Sequence, residues 1–133
     1  MTNIYTALAK FQEEIKPIVQ NTSGYNYKYA DLGSIIETIK PILAKNGLGF
    51  VQPLDGKSVK TIIFHSESGD NIEGTVEIPQ GVELKGMNAY QSLGSAITYL
   101  RRYSLASMLG LITEEDTDAS GEQIIKQDSD VRI

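Results

Sequence analysis

Gln91, Ser95, Thr98, Tyr99 and Arg102, all within the run QSLGSAITYLRRYSLASMLG at residues 91–110, fall on one side of a helix at about 100° per residue. Together they make a band of hydrogen-bonding side chains with one cation and no carboxylate. Exposed helix faces usually mix both signs, so this band suits an anionic ligand. Arg101 points about 100° away from Arg102, so the two arginines cannot serve one surface. One is placed to face a ligand and the other to make a structural or intersubunit contact, and both are kept as candidate ligand contacts.

A second group lies in GYNYKYADL, where Tyr25, Tyr27 and Tyr29 alternate with Asn26 and Lys28. In an extended chain the three rings share one face. Rings beside a cation make a stacking platform for nucleic-acid bases, each base contributing about 1–3 kcal/mol. Rings of this kind also pack on a core or a neighbouring subunit. Tyr29 leads directly into a helix and is assigned to structure, while Tyr25, Tyr27 and Lys28 remain candidate contacts. Lys57, Lys60 and Lys85 are further cations that serve equally well as ordinary surface lysines.

Catalytic chemistry is sparse. His65 is the sole histidine and cysteine is absent, so no His/Cys metal site and no cysteine nucleophile can be assembled, and His65, in a strand next to a turn, reads as structural or merely exposed. No Gly-x-x-x-x-Gly-Lys-Ser/Thr loop is present to cradle a nucleotide. Glu114, Glu115, Asp116 and Asp118 form the densest carboxylate cluster, and such clusters can hold Mg²⁺ for phosphoryl chemistry. Consecutive carboxylates behind a helix are more often a solvated exit, or partners of an arginine in the same or a neighbouring subunit. The expectation is a protein that is not an enzyme and needs no cofactor or metal.

The elements that must position these groups follow from periodicity. Ile4, Leu8, Phe11, Ile15 and Val19 predict a first helix over residues 4–19, ended or kinked by Pro17. Residues 21–24 read as a loop. Asp31 is placed to cap a second helix, whose stripe is Leu32, Ile35, Ile36, Ile39, Ile42 and Leu43 and whose stop is Asn46-Gly47. From residue 48 the period becomes extended, with strands at 48–52, 59–64 and 71–78 separated by turns at 54–57 and 66–70. Short connections make an antiparallel three-stranded meander the natural sheet. Residues 79–88 read as a flexible crossover, and the helix at 91–110 packs across the sheet through Leu93, Ile97, Leu100, Ser104 and Met108. The fold class is α+β, with two helices preceding the meander and its long helix.

The chain has 133 residues, enough for one domain with a core of its own. Its net charge of −5 is unevenly placed: residues 1–112 hold ten basic and ten acidic side chains, so the excess belongs to residues 113–133. The folded part is therefore neutral, and a local basic groove is compatible with a tail that confers solubility or competes for that groove. Residues 1–119 read as the domain and residues 120–133 as a polar, disordered tail. No stretch approaches the roughly 20 apolar residues of a membrane span, and residues 1–11 lack the pattern of an export signal. Freedom from cysteine suits a reducing cytoplasm.

The run GSAITYLRRYSLASMLGL followed by TEEDTDA resembles the signature of the ERF family of phage single-strand annealing recombinases. Its members carry a Gly-Ser-Ala-x-Thr-Tyr-x-Arg-Arg-Tyr helix closed by Leu-Gly and an acidic run. A second block, YKYADLGSIIETIKPILAKNGL, is similar to the family's upstream segment, with its Tyr-Ala-x-Leu start, Pro-x-Leu and Gly-Leu end. Together the blocks span roughly residues 25–119. In the helix Gly94, Ser95, Thr98, Tyr99, Arg101, Arg102 and Tyr103 occupy motif positions, and upstream Tyr29, Ala30, Asp31 and Leu32 do.

The resemblance implies binding of single-stranded DNA without a nucleotide cofactor, assembly into a homo-oligomeric ring or helical filament, and pairing of complementary strands during phage recombination in a bacterial cytoplasm. It implies a β-β-β-α core like that of the eukaryotic strand-annealing ring proteins. It also favours an ion pair over a metal for the carboxylates at 114–118, because that run accompanies the Arg-Arg helix in the family. Many members have a longer C-terminal region that recruits a host single-strand binding protein, a partner left open here because only residues 120–133 follow Ala119. Two other readings stand beside this one. A ring-forming interaction protein of the same fold with weak DNA binding is suggested by the neutral charge of residues 1–112, and a Mg²⁺-dependent nuclease by the carboxylate run.

Overall fold

The computed structural model describes residues 2–24, 27–81 and 85–114. Three helices and two antiparallel sheets follow in the order α1 (Ile4–Glu14), β1 (Thr22–Gly24), β2 (Tyr27–Tyr29), α2 (Leu32–Lys45), β3 (Leu48–Val51), β4 (Leu54–Asp55), β5 (Ser58–His65), β6 (Asn71–Glu77) and α3 (Ala89–Leu109). The mixed α+β class read from periodicity is the class observed.

The first helix is five residues shorter than its apolar pattern. It ends at Glu14 because Pro17 excludes helical geometry at Lys16 and has no N–H to donate. Ile18 nevertheless reaches the core by another route, in extended chain, where its N–H donates to the Ile112 carbonyl at 3.0 Å. Within the loop expected at 21–24, residues 22–24 form the strand β1, paired with β2 through Thr22↔Tyr29, Ser23↔Lys28 and Gly24↔Tyr27. Such a three-residue strand is too short to show an alternating pattern.

Asp31 caps α2 as expected, its Oδ1 accepting from the Ser34 N–H at 2.9 Å. Pro41 lies inside α2, and Ile35, Ile39 and Leu43 remain fully buried around it. The meander then runs β3–β5–β6, with β4 continuing the row of β3 in the same register: Leu48 to Val51 face His65 to Ile62, and Leu54 and Asp55 face Val59 and Ser58. Between them Pro53 accepts from the Lys60 N–H at 3.0 Å. The β5 residues Val59, Thr61, Ile63 and His65 are all buried on one face. That face meets the helices, and Phe11, Ile35, Ile39, Leu43, Leu105 and Leu109 join it to one core.

Helix α3 begins with a reciprocal cap, in which Asn88 Oδ1 accepts from the Gln91 N–H at 2.8 Å and Gln91 Oε1 accepts from the Asn88 N–H at 2.9 Å. It ends at Gly110, whose φ of 70° is the left-handed cap that glycine adopts without strain. Its buried side differs from the wheel reading. Ser92, Arg102, Leu105 and Leu109 are buried, whereas Leu93 is 45% exposed. A wheel orders side chains around an axis without saying what covers them. Here the chain at 29–30 and at 113–114 crosses the polar band at Arg102 and closes it, with Ala30 N–H donating to the Thr113 carbonyl at 2.8 Å.

Candidate nucleic-acid interface

Tyr99 stands one helical turn before the adjacent Arg102 and Tyr103 on α3, and the crossing strands supply their counterparts. Tyr29 ends β2 and is bridged to Glu114 in antiparallel register. The Arg102 guanidinium carbon lies 4.1 Å from the Tyr29 ring centroid, 4.8 Å from that of Tyr103 and 5.6 Å from that of Tyr99. Its Nη1 donates to Glu114 Oε1 at 2.7 Å, and the Tyr103 hydroxyl donates to the same carboxylate. Only 5% of Arg102 is exposed. A guanidinium taken from water needs both a counter-charge and partners for its flat faces, and this cluster provides them. Partial burial, reinforced by the bond to Glu114, pushes the Tyr103 phenol well above its ordinary value, so it stays a neutral donor.

In front of this cluster opens a cavity of about 630 Å³. One wall comes from the start of α2 and the strand before it, with Tyr29, Asp31 and Leu32; the other from Gln91, Gly94, Ser95, Thr98, Tyr99 and Arg102 of α3, with Met87 at one end. The helical face read from the sequence is therefore gathered around one concave site, together with the upstream block. The Ser95 hydroxyl contacts Met87 Sδ at 3.6 Å. Tyr99 is 51% exposed and its ring lies 4.6 Å from that of Tyr103.

The electrostatics differ from the acid-free, anion-binding face that the sequence suggested. Among the described residues Arg102 is the one cation in the cavity lining, and Glu114 compensates it from behind while Asp31 adds a carboxylate in front. Arg101 turns to the sheet instead. Its Nε donates to Gln52 Oε1 at 3.1 Å, and Gln52 Nε2 donates back to the Arg101 carbonyl and to Thr61 Oγ1. Arg101 thus holds α3 on β5, outside the cavity.

The other candidates are dispersed. Lys28 is exposed on β2 and is not in the cavity lining. Tyr27 shares that strand, and Tyr25 lies outside the described residues. Lys60 pairs with Glu73 across the sheet at 3.6 Å, Lys57 sits in the β4–β5 turn, and Lys85 is exposed before α3. His65 is buried, and its Nδ1 meets Ser68 Oγ at 2.7 Å and accepts the Ser68 N–H at 3.2 Å, which organises the β5–β6 turn. Of the carboxylate run, Glu114 is taken up by Arg102 and Tyr103, and 115–118 lie outside the described residues. Sequence reasoning assigned Tyr29 to structure and did not place it, Asp31, Leu32, Met87 or Gly94 in a ligand site, yet all five line the cavity. Gly94, a glycine inside a helical pattern, was the available signal.

Comparison with known proteins covers the same two blocks. The chain matches the ERF superfamily over residues 4–131. It is 31% identical over 120 residues to a protein of Salmonella phage P22 named "Essential recombination function protein". That match takes in 86% of this chain and 58% of the phage protein, so the chain spans less than two thirds of that relative's length. No solved structure is significantly similar. With nearly the whole chain matched, through both segments that build the cavity, this protein belongs to the ERF superfamily.

Proposed function

We propose that this chain is an ATP-independent single-stranded DNA-binding and strand-annealing protein of phage homologous recombination, acting as a ring or filament oligomer in the cytoplasm of a bacterial host. The observation that carries the reading is convergence: the upstream block at Tyr29, Asp31 and Leu32 and the helix block from Gly94 to Arg102 are far apart in sequence and line one cavity. The β3–β5–β6 meander followed by α3 agrees in order with the β-β-β-α core of strand-annealing ring proteins. An annealing protein must hold one strand extended yet leave it open to a second. An open site on a small domain suits that task, because many weak contacts summed over an oligomer give affinity without enclosing the strand.

The test is binding of fluorescent oligonucleotides, single-stranded and duplex, with mass photometry on the same samples, followed by pairing of complementary strands without ATP. Tight single-strand binding by an oligomer that accelerates pairing supports the reading. The compensated charge of Arg102 favours a second reading, an oligomeric interaction protein with weak DNA binding. Oligomers that ignore DNA would select it.

A further inference from the structure

Gly94 is in an odd place for a glycine. It lies within α3 and needs no positive φ, and a Cβ built on it would meet nothing within 4 Å. Helix interiors lose stability with glycine relative to alanine, so neither the backbone nor the packing of the fold explains it. What its missing side chain does is leave helix backbone as part of the cavity wall. The surrounding groups define what fits there. Tyr99 offers an exposed ring, Met87 and Leu32 are apolar, and Gln91 Nε2 and the Thr98 hydroxyl have no partner among the described residues. The one lining cation is already compensated by Glu114, and Asp31 opposes a second negative charge. A phosphate finds little there. A flat, uncharged heteroaromatic with hydrogen-bonding edges finds stacking surface, a donor and a hydroxyl.

We infer that this cavity takes an unpaired nucleobase of the bound strand, seated against the α3 backbone at Gly94, and that phosphates are met elsewhere. The inference rests on the single-stranded DNA reading above and names which part of the strand enters the site. The stacking partner is Tyr99; Gln91 and Thr98 meet the base edge. Because such contacts do not enclose the strand, a base seated in this way can be released to a complementary strand.

The experiment compares, by fluorescence anisotropy, a thymidine oligonucleotide with an abasic oligonucleotide of the same length and phosphate count. The proteins are the full chain, Gly94→Leu, which fills the cavity without changing charge, and Thr98→Val. Wild type is expected to bind the thymidine strand at least about tenfold more tightly than the abasic one, the scale of one base–aromatic stack. Gly94→Leu should remove that preference, while Thr98→Val should reduce it. Circular dichroism should show Gly94→Leu melting no lower than wild type, since leucine is the better helix former. Equal binding of both strands by wild type, or a preference that survives in folded Gly94→Leu, overturns base seating and leaves the DNA reading standing. Failure to bind either strand overturns both.

Discussion

Replacing Glu114 with glutamine keeps the shape of the side chain and removes the charge that Arg102 was buried against. The Arg102 side chain is 6% exposed and Glu114 22%, with Nη1 and Oε1 2.7 Å apart. Removing one partner of a buried pair typically costs about 3–5 kcal/mol, because the remaining charge stays desolvated and unpaired. Glu114 is partly wetted and glutamine still offers an acceptor, so the expected loss falls just below that range, at about 2–3 kcal/mol. That is a large share of the roughly 5–15 kcal/mol that holds a domain of this kind folded. With a urea slope of about 1–3 kcal/mol per molar, the midpoint should fall by about 0.7–3 M. Urea unfolding followed by circular dichroism measures this directly. The loss should persist in 1 M salt, where exposed pairs are screened and buried ones are not. In an Arg102→Met background the same replacement should cost far less, giving a coupling of about 2 kcal/mol. A loss below about 0.5 kcal/mol, or an equal loss whether residue 102 is arginine or methionine, would refute the account of Arg102 as a buried charge held by Glu114.

The double variant Arg102→Met, Glu114→Gln removes both charges at once, so the salt dependence of single-strand binding should not change; a slope flatter by about 0.7 would show that the guanidinium meets a phosphate. Tyr103 titrates above its ordinary value of 10.0 in the fold, so the native state keeps a proton that the unfolded chain gives up. Its contribution is therefore complete below about pH 10 and falls as pH rises beyond it, and Tyr103→Phe should lessen the alkaline loss seen in pH-dependent melts. Gly49→Ala would drive a Cβ into the Phe64 ring across the strand pair, and should cost about 1–3 kcal/mol in urea unfolding, most of it absent in Phe64→Ala. Asp31→Ala removes the α2 cap and should cost about 1 kcal/mol in the same assay.

The sequence by itself determined the elements whose cause is local. The apolar stripe of α2, its Asp31 cap, the three rows of the meander and the stop of α3 at Gly110 depend on spacing, a capping side chain and one left-handed residue, all of which are written in neighbouring positions. The face Gln91, Ser95, Thr98, Tyr99 and Arg102 was legible for the same reason, because helical spacing alone puts those side chains together. The end of α1 was only partly legible: the apolar pattern runs through Val19, and the effect of Pro17 on the preceding turn outweighs it.

Tertiary structure decided what that face meets. Which side of α3 is covered depends on where residues 29–30 and 113–114 cross it, and those contacts join positions some 85 apart, about which local periodicity carries no information. The same crossing turns Arg102 from an exposed cation into a buried, compensated one, sends Arg101 to Gln52 on the sheet, and makes Gly94 part of a cavity wall. Charge counted along the chain could not show this, because an arginine's field depends on the carboxylate folded beside it and on the water excluded around both.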